Sequence, residues 1–386
     1  MSVAEAHDSI TWNSFLKAQP FRPFLQSWTM GEVYRDVGQE PIRLIVEENG
    51  EIQAICQAFV VPARRGRHLS IPYGPVINSK YQAVSSKQVI NTLIAELTTI
   101  AKQNKCSFIR LSPFWPLPAT RYPLPDAIPS PLHLLAEHIW YLPLVTPNPW
   151  EAIQQKTNNQ QLISNNLPTA LTEETLLMAM RKTTRNLIRR AEKDGVEIIA
   201  SLDPVKDVET FIALHDETRK RHGFTPYTNA FFRAQVKHFA PRNECTVYCA
   251  RYQGETIAAS IHMHCFGETS YHHGASSGTH QKVPASYLLQ WTAIKDALKR
   301  GDQIYNFWGI APTIEQRSTN SDQQESPSLK AQSSKLKAHP FAGVTLFKTG
   351  FGGNLFPLVH CMDLPLSPSY TLTRMIEQWR KWRRGF

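Results

Sequence analysis

"CTVYCARYQGETIAASIHMHCFGETSYHHGAS", residues 245–276, decides the architecture. Apolar and polar residues alternate in three runs, the pattern of strands that each bury one face. "QGE" and "FGE" interrupt the runs, and glycine in a two-residue link is the chemistry of a tight hairpin. Three consecutive antiparallel strands follow from this. "ASYLLQWTAIKDALKRG", 285–301, then places apolar residues at helical spacing and stops at Gly301, and "QIYNFWGI", 303–310, reads as one more strand.

The first half runs in the same order. "PIRLIVEENGEIQAICQAFVV", 41–61, is strand, turn, strand, and "HLSIPYGPVI", 68–77, another strand. "SSKQVINTLIAELTTIAKQNK", 85–105, is a helix and "CSFIRLSPF", 106–114, a strand. A proline-rich stretch, 114–134, reads as a surface loop leading out of this half. Ahead of the second meander, 175–195 reads as one helix ending at Gly195, 196–201 as a strand and 205–224 as a further helix. The repeat implies two tandem copies of one mixed α/β fold, whose meander, helix and strand resemble the N-acetyltransferase-like (GNAT) fold. The expected domains are 1–148 and 149–362, with 363–386 completing the first. Residues 313–338, polar and without aromatics, read as a mobile insertion in the second.

A chain of 386 residues fits two domains. It has no apolar run of about 18 residues and no basic-then-apolar leader, so neither a membrane span nor a signal peptide is expected. Six scattered cysteines suit a reducing cytoplasm better than a disulfide framework. Cys245, Cys249, His262 and His264 raise the question of zinc, but they fall in alternating strands and read as packing positions, so no metal is expected. The net charge of +10 and pI near 9.3 point to an anionic partner: nucleic acid, a phosphorylated substrate or an acidic membrane.

"LFKTGFGG", 346–353, sets one lysine, Lys348, between an apolar run and a glycine-rich turn. "VTLF" before it reads as a strand, so Lys348 is either a solvated hairpin lysine or a cation fixed in a cleft. Acyl-CoA users of the GNAT fold cradle pyrophosphate on the N–H groups of a glycine loop before the helix. Here "HQKVPASYLLQW", 280–291, offers Pro284, which has no N–H, followed by Ala285. Acyl-CoA is therefore disfavoured and no cofactor is expected. Arg181, Arg185 and Arg189 recur every four residues, flanked by Lys182, Asn186, Arg190 and Lys193. This is one helical stripe that meets either phosphates or solvent.

"KTTRNLIRRAEKDGVEI", 182–198, resembles a helix of the Fem family, the tRNA-dependent aminoacyl transferases that build peptidoglycan cross-bridges. "FLQSWTMGE", "IPYGPV", "FIRLSP", "TRKRHGF", "YHHGAS", "YLLQWTAIKDALKRG", "YNFWGIAP" and "HPFAGVTLFKTGFGG" match in the family's order, from Phe24 to Gly353. No long heptad arm interrupts them, so the compact members are the resemblance. It implies a pair of GNAT-like domains, with Lys348 stabilising charge at the reacting acyl group and Phe347 packing beside it. It implies that Tyr271 lines the cleft, although a strand tyrosine with a satisfied hydroxyl fits as well. Arg221 and Phe224 would lie near acceptor phosphates, with Arg219 competing and Tyr227 on the same wall. Two positions depart: Tyr34, with Arg35 beside it, stands where compact members have a lysine, and Ser112 where they have an aspartate before proline. Both contact the nucleotide-linked acceptor in the family, which leaves acceptor identity open.

The resemblance thus implies a cytoplasmic, monomeric transferase. Its partners would be aminoacyl-tRNA, held through Lys182, Arg185 and Arg189, and a UDP-linked or lipid-linked peptidoglycan precursor. An acyltransferase acting on an exopolysaccharide or another amine, or a non-catalytic module binding RNA or membrane, stands beside that reading. "TLTRMIEQWRKWRRGF", 371–386, mixes Trp379 and Trp382 with five basic residues. It either docks on the first domain or touches the inner membrane surface; the two are compatible if one face does each.

Overall fold

The computed structural model describes residues 1–63, 66–79, 83–117, 124, 126–151, 168–222, 227–312 and 339–384. The expected insertion at 313–338 lies outside them. Hairpin chemistry sets both sheets. Asn49–Gly50, Gln253–Gly254 and Phe266–Gly267 all take positive φ at both residues, the turn whose twist matches paired strands. In the first half these strands are β1 (Ser2–Glu5), β2 (Pro41–Glu48), β3 (Glu51–Val61), β4 (His68–Tyr73), β5 (Val76–Ile77), β6 (Phe108–Pro113) and β7 (Ile128–Pro129). Next come β8 (His138–Pro143) and the short pair β9 (Val145–Thr146) and β10 (Thr169–Ala170). The second half supplies β11 (Glu197–Ala200), β12 (Cys245–Tyr252), β13 (Glu255–Cys265), β14 (Glu268–Ser276), β15 (Ile304–Gly309), β16 (Asn354–Pro357) and β17 (Met362–Pro365).

One sheet has the order β1-β2-β3-β4-β6-β17-β7 with β5 against β3, the other β11-β12-β13-β14-β15-β8-β16. The helices are α1 (Ser9–Ala18), α2 (Trp28–Asp36), α3 (Ala83–Gln103), α4 (Glu173–Ala179), α5 (Lys182–Lys193), α6 (Pro204–His222), α7 (Asn229–Phe239), α8 (Ala285–Arg300), α9 (Ala342–Thr349) and α10 (Tyr370–Arg384). Alternation along β3 sends Ala54, Cys56 and Ala58 into the core under α3, and Ile55 to the opposite face with Trp12 and Leu16 of α1. The two halves show the GNAT-like order twice: antiparallel strands, a helix, then a strand parallel to the last.

Each sheet is completed by a strand from the other side of the chain. β8 precedes residue 148 yet lies between β15 and β16, and β17 returns to pair with β6 and β7. The sheets thus divide ahead of residue 148. One apolar cluster, rich in aromatic rings, spans the seam, with Phe24, Tyr34, Tyr73 and Phe114 against Phe231, Phe232, Phe239 and Met263.

Three sequence expectations change. "VTLF" is not a strand: residues 342–349 form α9, because Thr345 and Lys348, three apart, are the positions it buries. The helix expected over 175–195 is two, broken at Met180–Arg181, where the backbone turns extended and the Arg181 N–H donates to Gly350 O at 3.0 Å instead of continuing the ladder. The proline-rich stretch is not wholly surface: Phe114 and Trp115 are buried at its start. α7, "NAFFRAQVKHF", was not anticipated; it closes the seam against α2.

β17 and α10 are held by a buried charge network. Arg110 of β6 donates to both Asp363 oxygens at 2.7 and 2.8 Å and to both Glu377 oxygens at 3.1 and 2.7 Å. Tyr370 donates its hydroxyl to Asp363 at 2.8 Å. The paired carboxylates hold Arg110 firmly charged despite its burial. Removing one partner strands the others without water. Arg110→Leu is expected to cost about 3–5 kcal/mol in urea unfolding, far above the cost of an exposed ion-pair deletion such as Arg233→Leu.

Candidate active site

The second sheet opens where the first does not. β4 and β6 stay paired from His68↔Phe108 to Tyr73↔Pro113. β14 and β15, their counterparts, pair only from Glu268↔Ile304 to Ser270↔Asn306 and then part. Glu268 closes the base of this wedge, accepting from Asn306 Nδ2 at 2.8 Å and Ser270 Oγ at 2.9 Å, and burial pushes its carboxyl pKa up.

Lys348 bridges the parted strands. Its Nζ donates to Gly309 O, at the end of β15, at 2.7 Å, and lies 5.7 Å from the ring centre of Tyr271 on β14. One turn earlier on α9, Thr345 Oγ1 accepts from the Ala311 N–H at 2.8 Å, so two side chains of one helical face pin α9 to the wedge. Lys348 is 7% exposed, and burial alone lowers its pKa to about 7. Tyr271 folds back over Gly274, where any Cβ would collide with its hydroxyl, and stacks on His262 at 5.3 Å. Burial raises its pKa to about 12, so its hydroxyl stays protonated. Phe347 turns from Lys348 into an aromatic cluster with Tyr287 at 4.9 Å and Phe351 at 5.5 Å. On the other sheet face His272, kept neutral by burial with a pKa of about 3, meets Trp308 at 4.9 Å.

The segment holding α9 in place comes from the arginine stripe. Arg181 donates to Leu346 O at 3.3 Å and Thr349 Oγ1 at 2.5 Å, in the last turn of α9. Arg185 turns inward and donates to the carbonyls of Leu177, Met178 and Met180 at 3.2, 3.3 and 2.5 Å, capping α4. Neither guanidinium is the free stripe cation expected from spacing; Lys182 and Arg189 are exposed. Sequence spacing gave Arg181 a face but not this role. Gly353 runs so close to the carbonyl of Tyr141 that a Cβ would clash, and Trp140 Nε1 donates to Gly352 O at 2.7 Å.

The remaining candidates lie elsewhere. Arg221 Nη2 donates to Ser276 O and Oγ, both at 3.1 Å, at the far end of β14. Tyr227 is partly exposed and stacks on Phe231 at 4.5 Å; Tyr34, buried, packs on Phe59 at 4.2 Å and reaches Phe231 at 6.4 Å. Tyr34 and Tyr227 therefore flank one ring at the seam. Arg35 is paired with Glu32 and Glu40. Ser112 is buried in β6 opposite Pro72, and Phe224 lies outside the described residues. Cys245 and Cys249 are buried packing residues whose thiols burial pushes up to about 12 and about 11. Before α8, the N–H groups of Gln281 and Val283 donate to the carbonyls of Thr279 and His280.

A lysine with a native pKa of about 7 and an unfolded pKa near 10.5 makes stability pH-dependent. Between these values the unfolded chain holds a proton the native chain has released, so stability rises with pH there; below about 7 the full cost of the buried charge is present. Lys348→Met is therefore expected to melt about 3 °C or more above the parent at pH 6, with the gap narrowing toward pH 10. Scanning calorimetry at both pH values checks it; a variant that melts lower at pH 6 sinks the assignment.

The FemAB family model matches residues 8–255 and 242–378. The crystal structure of FemX superposes with a TM-score of 0.71 at 16% identity, over 98% of this chain and 100% of that one. L-PGS from Bacillus licheniformis superposes at 0.51 and 12% identity, over 100% of both chains. At such identities these likenesses establish the fold. No curated protein matches the chain. The family match covers both halves, and the chain belongs to the FemAB family, the acyltransferases of peptidoglycan cross-bridge formation.

Proposed function

We propose that the protein transfers an aminoacyl group from aminoacyl-tRNA to an amino group of a peptidoglycan precursor, UDP-linked or lipid-linked, in the cytoplasm. The observation that carries the reading is Lys348, a buried amine with no counter-charge described beside it, set where two strands part. Such a group costs stability, and that cost is what a catalytic cation shows. A module that only binds gives no comparable reason to bury it; an acyl transfer to an exopolysaccharide would use the same cation, and Pro284, standing where acyl-CoA users have glycine, argues against the usual donor for it.

In the proposed step the acceptor nitrogen attacks the ester carbonyl carbon of the aminoacyl-tRNA. A C–N bond forms, the carbonyl oxygen becomes an oxyanion, and the C–O bond to the ribose breaks as the oxyanion collapses. The nitrogen loses a proton and the ribose oxygen gains one, leaving an amide and a free tRNA hydroxyl. The Lys348 ammonium opposes the charge on the oxyanion in a site with little water. Tyr271 presents its ring to the ammonium and keeps its hydroxyl proton, so it adds no competing negative charge there. Lys182 and Arg189, exposed on α5, are the stripe cations available to tRNA phosphates.

Lys348→Met is expected to lower kcat about 10²- to 10³-fold, with tRNA binding retained. The pH profile carries the sign. In the parent kcat/KM climbs as the acceptor amine deprotonates, then levels off above about 7 as Lys348 loses its proton. The variant climbs without that break. Incubation with charged total tRNA and candidate precursors, with products weighed, reads both; a variant with parental turnover refutes the role of Lys348.

A further inference from the structure

α10 is fixed on one side and unpartnered on the other. Its inner face carries Tyr370, Thr373 and Glu377, and is tied to the first sheet by the Arg110 network and by Arg374 Nη1 donating to Pro129 O at 2.8 Å. Its outer face carries Leu372, Met375, Trp379 and Trp382, at spacings of three, four and three residues, which is one stripe of a helix. They are 64, 61, 53 and 80% exposed. Docking has therefore left the larger apolar side chains in water, an arrangement that calls for a partner.

The charges around the stripe select that partner. α10 holds Arg374, Arg380, Lys381, Arg383 and Arg384 against one acid, Glu377, which is spent on Arg110. The guanidinium of Arg383 lies 5.6 Å from the Trp379 ring centre, so cation and indole share one edge of the stripe. Indoles with basic neighbours suit the boundary between lipid headgroups and acyl chains, where the ring is buried and the cation meets lipid phosphate. Leucine and methionine on the same face suit acyl chains and add nothing to nucleic-acid binding, which is carried by cations and stacked rings. A second copy would bring two basic fringes together in a chain whose net charge is already +10. No helix among the described residues is long and apolar enough to cross a membrane, so contact would be made in the plane of the surface.

We infer that the outer face of α10 is a docking surface for an anionic lipid bilayer, held rigidly against the first domain by its inner face. This surface is independent of the transfer reaction, and its test requires no turnover. The intact protein is sedimented with vesicles of phosphatidylcholine alone and of phosphatidylcholine mixed with phosphatidylglycerol, while tryptophan emission is recorded. Binding is expected to the mixed vesicles only, with a blue shift and quenching by brominated lipid. Trp379→Gln with Trp382→Gln, and separately Arg380→Gln with Arg383→Gln, should each weaken binding about tenfold or more. The first pair, on side chains that are mostly exposed, should leave the melting temperature unchanged. Failure of the parent to bind mixed vesicles, or undiminished binding by the tryptophan pair, overturns the inference. So does a dimer in sedimentation equilibrium that the tryptophan pair disperses, since a second copy would then own the stripe.

Discussion

A parallel pair that keeps its hydrogen bonds for only Glu268–Ser270 and Ile304–Asn306 is the constraint around which the second half is built. Parting strands leave backbone groups without ladder partners, and each must be satisfied in another way. Gly309 O takes the Lys348 ammonium, the Ala311 N–H takes the Thr345 hydroxyl, and the Trp308 N–H takes Asn306 Oδ1 at 2.8 Å. The same bonds that compensate the opening fix what stands in it. The first half, zipped through its corresponding pair, has the same topology and no such mouth. Two copies of one fold thus diverge in role through the length of a single ladder.

Holding a lysine in that mouth requires support from outside it. α9 is short, and while its last three carbonyls accept from Gly350, Phe351 and Gly352, Leu346 O is taken by the guanidinium of Arg181, whose N–H also holds Gly350 O just past the helix. Arg185 in turn secures the segment from which Arg181 projects. On the other side, Phe347, Tyr287, Phe351 and Phe307 form an aromatic wedge that fixes the rotation of α9. A cationic stripe has become a splice between two helices, leaving fewer charges for a polyanion than its composition suggests.

What was legible in the sequence is what local chemistry determines. Glycine in two-residue links marked both meanders, Gly301 marked the end of α8, and a lone charge between apolar residues and glycines marked Lys348. "VTLF" misled because its branched and aromatic residues favour a strand locally. The helix wins because Thr345 and Lys348, three apart, both find partners at the end of β15 and just past it, Ala311 and Gly309, a contact invisible along the chain. The inward turn of Arg185 was hidden for the same reason: spacing gives a face, not what the face meets. Tyr34 stands where the family resemblance placed a cation, and the structure buries it among rings instead of exposing it.

The exchange of strands between the halves has a consequence for how the protein is made. Arg110 and Asp363, which close the first sheet, are 253 residues apart. As the ribosome releases the chain, β6 emerges with its outer edge bare, and it stays bare until residues 362–365 have been synthesised. An open edge beside a desolvated arginine is a template for the wrong neighbour. The nascent first half must therefore wait in a partly formed state, and its maturation is set by translation of a distant segment and not by its own local contacts.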